Sequence, residues 1–215
     1  NKYDKSGFVI VRNLFHIDLI SSLKVNLEDN LASISSKLNG RNISFTKNKK
    51  INSIHNLQSF KDSNYLRQNN NLKKIIKKLI GKKFTDFGSE VFLKPANSSL
   101  KAPPHQDNYY WCLENPNALT VWVALENANI RNGAVYYYEG THKLGLLEHI
   151  KSNIPGLSQE LKYPVGIKNF KKYTTKLSPG DCIFHHSLVV HGSEINKSDS
   201  SRIGLTLRYA AAPRK

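Results

Sequence analysis

Two short segments far apart in the chain carry the side chains best suited to hold a metal ion: His105-Gln106-Asp107 and His191-Gly192-Ser193. Side chains alternate between the faces of a strand, so His105 and Asp107 are expected to project the same way, two residues apart. His191 must then arrive from a separate strand laid alongside. Two imidazoles and one carboxylate on one face of an ion leave the opposite positions open. That suits Fe(II) that has to hold a co-substrate and O2 together. The same donors also bind Zn(II), so a hydrolytic or non-enzymatic metal site is the competing reading of these three residues.

Arg202 lies eleven positions after His191 and opens the segment Arg202–Tyr209, in which Arg202, Gly204, Thr206 and Arg208 share one face of a strand. A guanidinium at a strand end can pair bidentately with a carboxylate, fixing the far end of an anionic co-substrate whose near end chelates the metal. Gly204 and Ser193 are small and leave room beside it. Hydrolysis needs neither Arg202 nor Ser193. Arg208 either contacts co-substrate or an anionic substrate, or serves as a structural ion-pair partner; both readings stay open.

These groups need strands to position them. From Phe84 onward the pattern is β, with candidate strands Glu90–Leu93, Leu119–Leu125, Ala134–Tyr138, Tyr173–Leu177, Asp181–His185, Leu188–His191 and Arg202–Ala210. Turn signals such as Asn132-Gly133 and Ser178-Pro179-Gly180-Asp181 separate them. Earlier, Gly7–Val11 reads as a strand. Leu19, Ile20, Leu23, Leu27 and Leu31 recur at helical spacing, with Asp18 placed as an N-cap. A second stripe, Leu72, Ile75, Ile76, Leu79 and Ile80, has Lys73, Lys74, Lys77 and Lys78 opposite it and Gly81 at its end. It reads as a helix packed on a sheet with a solvated lysine face. Residues 37–62 read as loops and short strands near a site, and 143–172 as a long irregular connection of the kind that contacts substrate. Helices followed by many short strands predict one α+β, mainly β domain: a helical part over 1–83, packed on one sheet of a sandwich or barrel over 84–215.

At 215 residues and 39% hydrophobic content, the chain can bury a core without disulfides. Cys112 and Cys182 are expected to be buried free thiols of a reducing compartment. The sequence begins at Asn1 and has no Met, so a start or tag is expected to be missing. With no apolar run of membrane length and no signal-like segment, a cytoplasmic location and no membrane partner are expected. The net charge of +16 comes from 32 basic and 16 acidic residues. Scattered Lys, alongside abundant Asn and Ile, reads mainly as compositional drift, with steering of an anionic substrate as a side benefit. No Arg–aromatic stripe marks a specific nucleic-acid surface. Oligomeric state is not legible.

Together, His105–Trp111, Leu119–Glu126, Asn132-Gly133-Ala134, Gly140–Gly145, Pro179-Gly180-Asp181 and His191-Gly192-Ser193 resemble the phytanoyl-CoA dioxygenase family, with similarity from about Gly7 through Tyr209. The resemblance implies a double-stranded β-helix, or jelly roll, and an oxygenase dependent on Fe(II) and 2-oxoglutarate. By position it implies His105, Asp107 and His191 as iron ligands, Arg202 and the Ser193 hydroxyl on the distal carboxylate of 2-oxoglutarate, and Trp122 beside that co-substrate. Lys94 is a weaker candidate for the same pocket. Asn108 and Tyr110 are expected to line a substrate pocket, with Tyr136, Tyr137 and Tyr138 as sheet residues of alternating exposure. His185 and His186 are read as core or supporting residues on the strand carrying His191, and His16, His55, His142 and His149 as loop residues. The retained Asp107 implies hydroxylation or another oxidation rather than halogenation. The implied reaction hydroxylates a small molecule, one bearing a carboxylate or phosphate, with release of succinate and CO2. Nucleic-acid demethylation is the alternative, since some DNA-repair oxygenases also carry two arginines six positions apart.

Overall fold

The computed structural model describes residues 1–37, 42–46, 48–55, 57, 63–154 and 157–212. In chain order the elements are α1 (Lys2–Ser6), β1 (Phe8–Val11), α2 (Ile17–Lys37), β2 (Ile43–Phe45), β3 (Ile51–Ile54), α3 (Ser63–Gln68) and α4 (Asn70–Ile80). There follow β4 (Phe84–Lys94), β5 (Ala102–His105), α5 (Asp107–Trp111), β6 (Ala118–Ala124), β7 (Val135–Tyr138), β8 (His149–Ile154) and β9 (Leu157–Leu161). The chain closes with β10 (Lys172–Thr174), β11 (Cys182–His186), β12 (His191–Ser193) and β13 (Arg202–Ala211). A seven-stranded sheet, in the order β1-β11-β6-β13-β4-β3-β2, faces a four-stranded sheet, β10-β7-β12-β5, and β8-β9 form a separate hairpin. The mainly β jelly-roll expectation holds.

Strand parity sorts the large sheet into two faces. Leu119, Val121 and Val123 of β6, with Leu205 and Leu207 of β13, pack against Ile20, Leu23 and Leu27 of α2 and Leu72, Ile76 and Ile80 of α4. Trp122 and Ala124, with Ile183 of β11, turn the other way and pack on Val135 and Tyr137 of the small sheet. The helices therefore cover one face, and the site lies on the other, between the sheets. Among the described residues no helix is long and apolar enough to cross a membrane.

Several expectations need correction. The strand expected at Gly7–Val11 and the short strands expected within 37–62 are present as β1, β2 and β3, but they extend the large sheet at both edges, so the first 83 residues do not only pack on it. The segment 143–172 contains the β8–β9 hairpin, whose mixed residues give no clean alternation. Asp18 sits inside the first turn of α2 rather than capping it, and its amide donates to His16 Nδ1. Tyr136 and Tyr137 are both buried, because β7 is an inner strand of the small sheet. Cys182 is buried, but Cys112 is exposed where it ends α5 in the left-handed conformation. His185 is on β11 of the large sheet and His191 on β12 of the small one; the turn at Ser187–Val190 carries the chain across.

Two glycines mark close approaches. A Cβ on Gly204 would lie 2.0 Å from Trp122 Cζ2, so the indole lies directly on β13. A Cβ on Gly192 would lie 2.5 Å from the Ala102 carbonyl, where β12 meets β5.

Candidate metal centre

His105 ends β5 and faces His191 across the β5–β12 pairing, where the two residues are register partners. Their ring centroids are 4.3 Å apart. Asp107 does not sit on the same strand face, as strand alternation would have it, but opens α5. The turn between them is fixed by Gln106, which is fully buried. Its side chain donates to the Gly145 and Leu188 carbonyls and accepts from the Leu147 amide, and its own amide donates to His149 Nε2. With Gln106 anchored outward, the residues on either side of it turn inward.

One ligand atom each from His105, Asp107 and His191 lie within 4.8 Å of one another. A carbonyl oxygen can only accept a hydrogen bond, so the contacts of His105 Nδ1 with Pro103 O (2.8 Å) and His191 Nδ1 with Val189 O (3.0 Å) place a proton on each Nδ1. Each Nε2 is therefore left with its lone pair directed inward. Burial holds both imidazoles down at about 4, with the neighbouring rings adding to the effect, so both are neutral at physiological pH. Burial works against the Asp107 charge, yet the imidazoles of His191, His185 and His105 hold its carboxyl well below the usual range.

Asp107 has its own supports. Thr120 donates to Oδ2 at 2.6 Å, and His185 Nε2 lies 3.0 Å from the same oxygen. The Tyr137 hydroxyl, 2.9 Å from His185 Nδ1, orients that ring in turn. Oδ2 is thus satisfied, while Oδ1 points toward His191 Nε2, 3.6 Å away. Outer partners of this kind typically contribute about 10- to 100-fold to metal affinity. His185→Ala is expected to weaken metal binding by roughly that factor, measured by competition with a chelating dye; undiminished affinity would show that His185 only packs.

The triad opens on a cavity of about 540 Å³ whose walls include Lys94, Tyr110, Trp122, Ser193, Arg202 and Arg208. Arg202 is 3% exposed and stacks over Trp122, its guanidinium carbon 5.5 Å from the ring. Among the described residues it forms no ion pair, and its Nε has no hydrogen-bond partner. Burial lowers it to about 10 against the more distant charge of Glu126, so it remains a cation with no anion in direct contact. Lys94, its register partner on β4, donates to Ser193 Oγ at 2.7 Å and to the Glu194 carbonyl.

Burial, and after it the Arg202 charge, push Lys94 down to about 6. The unfolded amine titrates near ~10.4, so between those two values the unfolded chain holds the extra proton and stability rises with pH. Lys94→Met removes this dependence. Its Tm relative to the parent is expected to be highest near pH 6 and to fall steadily towards pH 9; a pH-independent difference would count against a neutral Lys94.

The remaining candidates divide. Arg208 is ion-paired to the buried Glu90, as the structural reading of it expects, and it also lines the cavity. Tyr110 lines the cavity, its ring edge-on to His105 and its hydroxyl donating to Gln159 O at 2.6 Å. Asn108 is not on the cavity wall: it is buried and its amide donates to Leu113 O. Sequence reasoning passed over Thr120, Glu90 and Gln106, and read the cavity-lining His55 and His149, which stacks on Tyr109, as loop residues.

Two imidazoles and a carboxylate clustered on one side, facing an open cavity, form the arrangement of non-heme Fe(II) oxygenases. A model of the phytanoyl-CoA dioxygenase (PhyH) family matches residues 3–204. The chain belongs to that family, and with it to the 2-oxoglutarate-dependent dioxygenases. Peroxisomal phytanoyl-CoA dioxygenase from Bos taurus is 26% identical over 228 aligned positions, covering 98% of this chain and 67% of that one. The Homo sapiens enzyme is 25% identical with the same coverage. Among solved structures, EctD from S. alaskensis with 2-oxoglutarate and 5-hydroxyectoine superimposes with a TM-score of 0.80 at 20% identity, over 98% of this chain and 74% of that one. The epimerase SnoN in complex with Fe3+, alpha ketoglutarate and nogalamycin RO gives 0.78 at 21% identity, over 98% and 81%. At these identities the structural likeness is one of fold.

Proposed function

We propose that the protein binds Fe(II) through His105, Asp107 and His191 and uses 2-oxoglutarate and O2 to hydroxylate a small molecule bearing a carboxylate or phosphate group. The observation that carries this reading is the pairing, in one cavity, of three inward-facing metal donors with a buried guanidinium that forms no ion pair among the described residues. The residues fit the groups they would hold. Two neutral imidazoles with free Nε2 lone pairs and an ionised carboxylate suit a divalent iron, and Arg202 suits the distal carboxylate of a dicarboxylate.

Bound together, Fe(II), 2-oxoglutarate and O2 supply the oxidant for a C–H bond, with succinate and CO2 released. The chain's own groups do the rest. Arg202 pairs with the distal carboxylate, and the Ser193 hydroxyl, held by Lys94, stands beside it. Trp122 shields the guanidinium from water on one face. Thr120 and His185 hold Asp107 so that Oδ1 faces the metal position.

The test is aerobic incubation of the Fe(II)-loaded protein with 2-oxoglutarate and a panel of small carboxylates and phosphates, reading succinate. Succinate release stimulated by one panel member, absent with Zn(II), is the expected result. Stoichiometric iron with no succinate release under any condition would overturn the reading.

A further inference from the structure

The cavity wall supplied by β13 carries a guanidinium at each end. Arg202 and Arg208 lie six residues apart on a stretch whose register with β4 is unbroken up to Arg208. On an extended strand their Cα atoms are ~20 Å apart, so the two side chains leave the strand at different levels of the cavity. Arg208 is the register partner of Thr120, the residue that donates to Asp107, so its end of the strand adjoins the metal ligands while Arg202 lies at the other. A co-substrate anchored on Arg202 leaves Arg208 unused.

Arg208 is held firmly in place. Its Nη2 is ion-paired to Glu90, and its guanidinium carbon lies 5.4 Å from the Trp111 ring centre. Glu90 is 5% exposed and has a second partner in His55 Nδ1 at 2.6 Å. His55 Nε2 is in turn 2.9 Å from Ser53 Oγ. Among the described residues no other group hydrogen-bonds to Arg208, so its Nε and Nη1 are left without protein partners on a side chain that is 21% exposed and lines the cavity.

We propose that this remaining edge of Arg208, braced by Glu90 and His55 and stacked on Trp111, is the seat for the carboxylate of the primary substrate, an amphipathic monocarboxylic acid. Three features select that class. The guanidinium edge is a planar fork that matches the two oxygens of a carboxylate. A phosphate or phosphonate dianion costs far more to desolvate than a monoanion, and Glu90, which already takes part of the Arg208 charge, leaves less of it to offset that cost. The surrounding wall offers Trp111, Phe92, Leu157 and Ile154, an apolar lining for the body of the molecule. The choice of reaction rests on the oxygenase reading; the seat itself does not.

Binding to the metal-free protein separates the two. Quenching of the fluorescence of the two tryptophans, Trp111 and Trp122, reports titration with decanoate, phenylacetate, decylphosphonate and decan-1-ol. At least one of the two carboxylates is expected to bind saturably and more tightly than the phosphonate or the alcohol. Arg208→Gln is expected to weaken carboxylate binding by roughly 30-fold or more, the scale of losing one partner of a buried charge pair. Arg208→Lys keeps the charge without the fork and should fall between. Glu90→Gln should narrow the preference for carboxylate over phosphonate. Binding of neither carboxylate, a parent preference for the phosphonate, or carboxylate affinity lost in Arg202→Met but retained in Arg208→Gln would overturn the seat. Saturable binding through Arg208 without succinate release from the iron-loaded protein would overturn the oxygenase reading and leave the seat standing.

Discussion

Asp107→Asn is expected to remove iron-dependent turnover, with succinate release falling to background. The substitution keeps the size of the side chain and leaves Thr120 and His185 something to bond, so the fold has little reason to change. What it removes is the one negative charge among the metal donors. The two imidazoles are neutral, so without Asp107 the cluster presents no charge to balance a divalent ion. Loss of an outer partner typically costs about 10- to 100-fold in affinity or activity, and loss of the charged ligand itself should exceed that range. Bound iron per chain and succinate yield should fall together. Full iron occupancy with intact turnover would exclude Asp107 from the site.

Arg202→Met should act with opposite sign on two quantities. In the protein without co-substrate, Arg202 is a buried cation with no carboxylate at ion-pair distance among the described residues, the Glu126 charge acting on it only from further off. Replacing a buried charge by an apolar side chain of similar length is often neutral or stabilising, so Tm should hold or rise. With 2-oxoglutarate the same change deletes the partner of the distal carboxylate. Truncating one side of a buried charge pair costs about 2–5 kcal/mol, roughly 30-fold to several thousand-fold in affinity. The rise in Tm that 2-oxoglutarate gives the parent, about 2.7 kcal/mol of stabilisation at one hundred times Kd, should disappear at the same concentration. An unchanged requirement for 2-oxoglutarate would remove Arg202 from the co-substrate site.

Much of this site was legible from residue order. The spacing of His105, Asp107, His191 and Arg202 needed only a fold that brings two strand pairs together, and the paired sheets do so. The parity of β13 placed Arg202, Thr206 and Arg208 on the cavity side, as the wall confirms. Residues that were passed over carried the same signal. Lys94 on the wall puts Phe92 and Glu90 on the same face of β4, and Trp122 does the same for Thr120 on β6. Ile183, facing the small sheet, likewise brings His185 inward on β11.

Other features had no local signature. The geometry around Asp107 is set by Gln106, whose partners lie about forty and eighty residues further along the chain, so a strand was the natural reading. Whether His55 was a loop residue or part of a cavity depended on β3 pairing with β4, a contact that only the assembled sheet makes. The exposure of Cys112 follows from a left-handed backbone at the end of a five-residue helix, which composition does not announce.

The most direct measurement is an anaerobic titration of the Fe(II)-loaded protein with 2-oxoglutarate, followed by visible absorption. A weak charge-transfer band that saturates with the co-substrate, is absent when Zn(II) replaces iron, and needs far more 2-oxoglutarate in Arg202→Met is the result expected of this site. Iron bound at one per chain with no band at any 2-oxoglutarate concentration would contradict it.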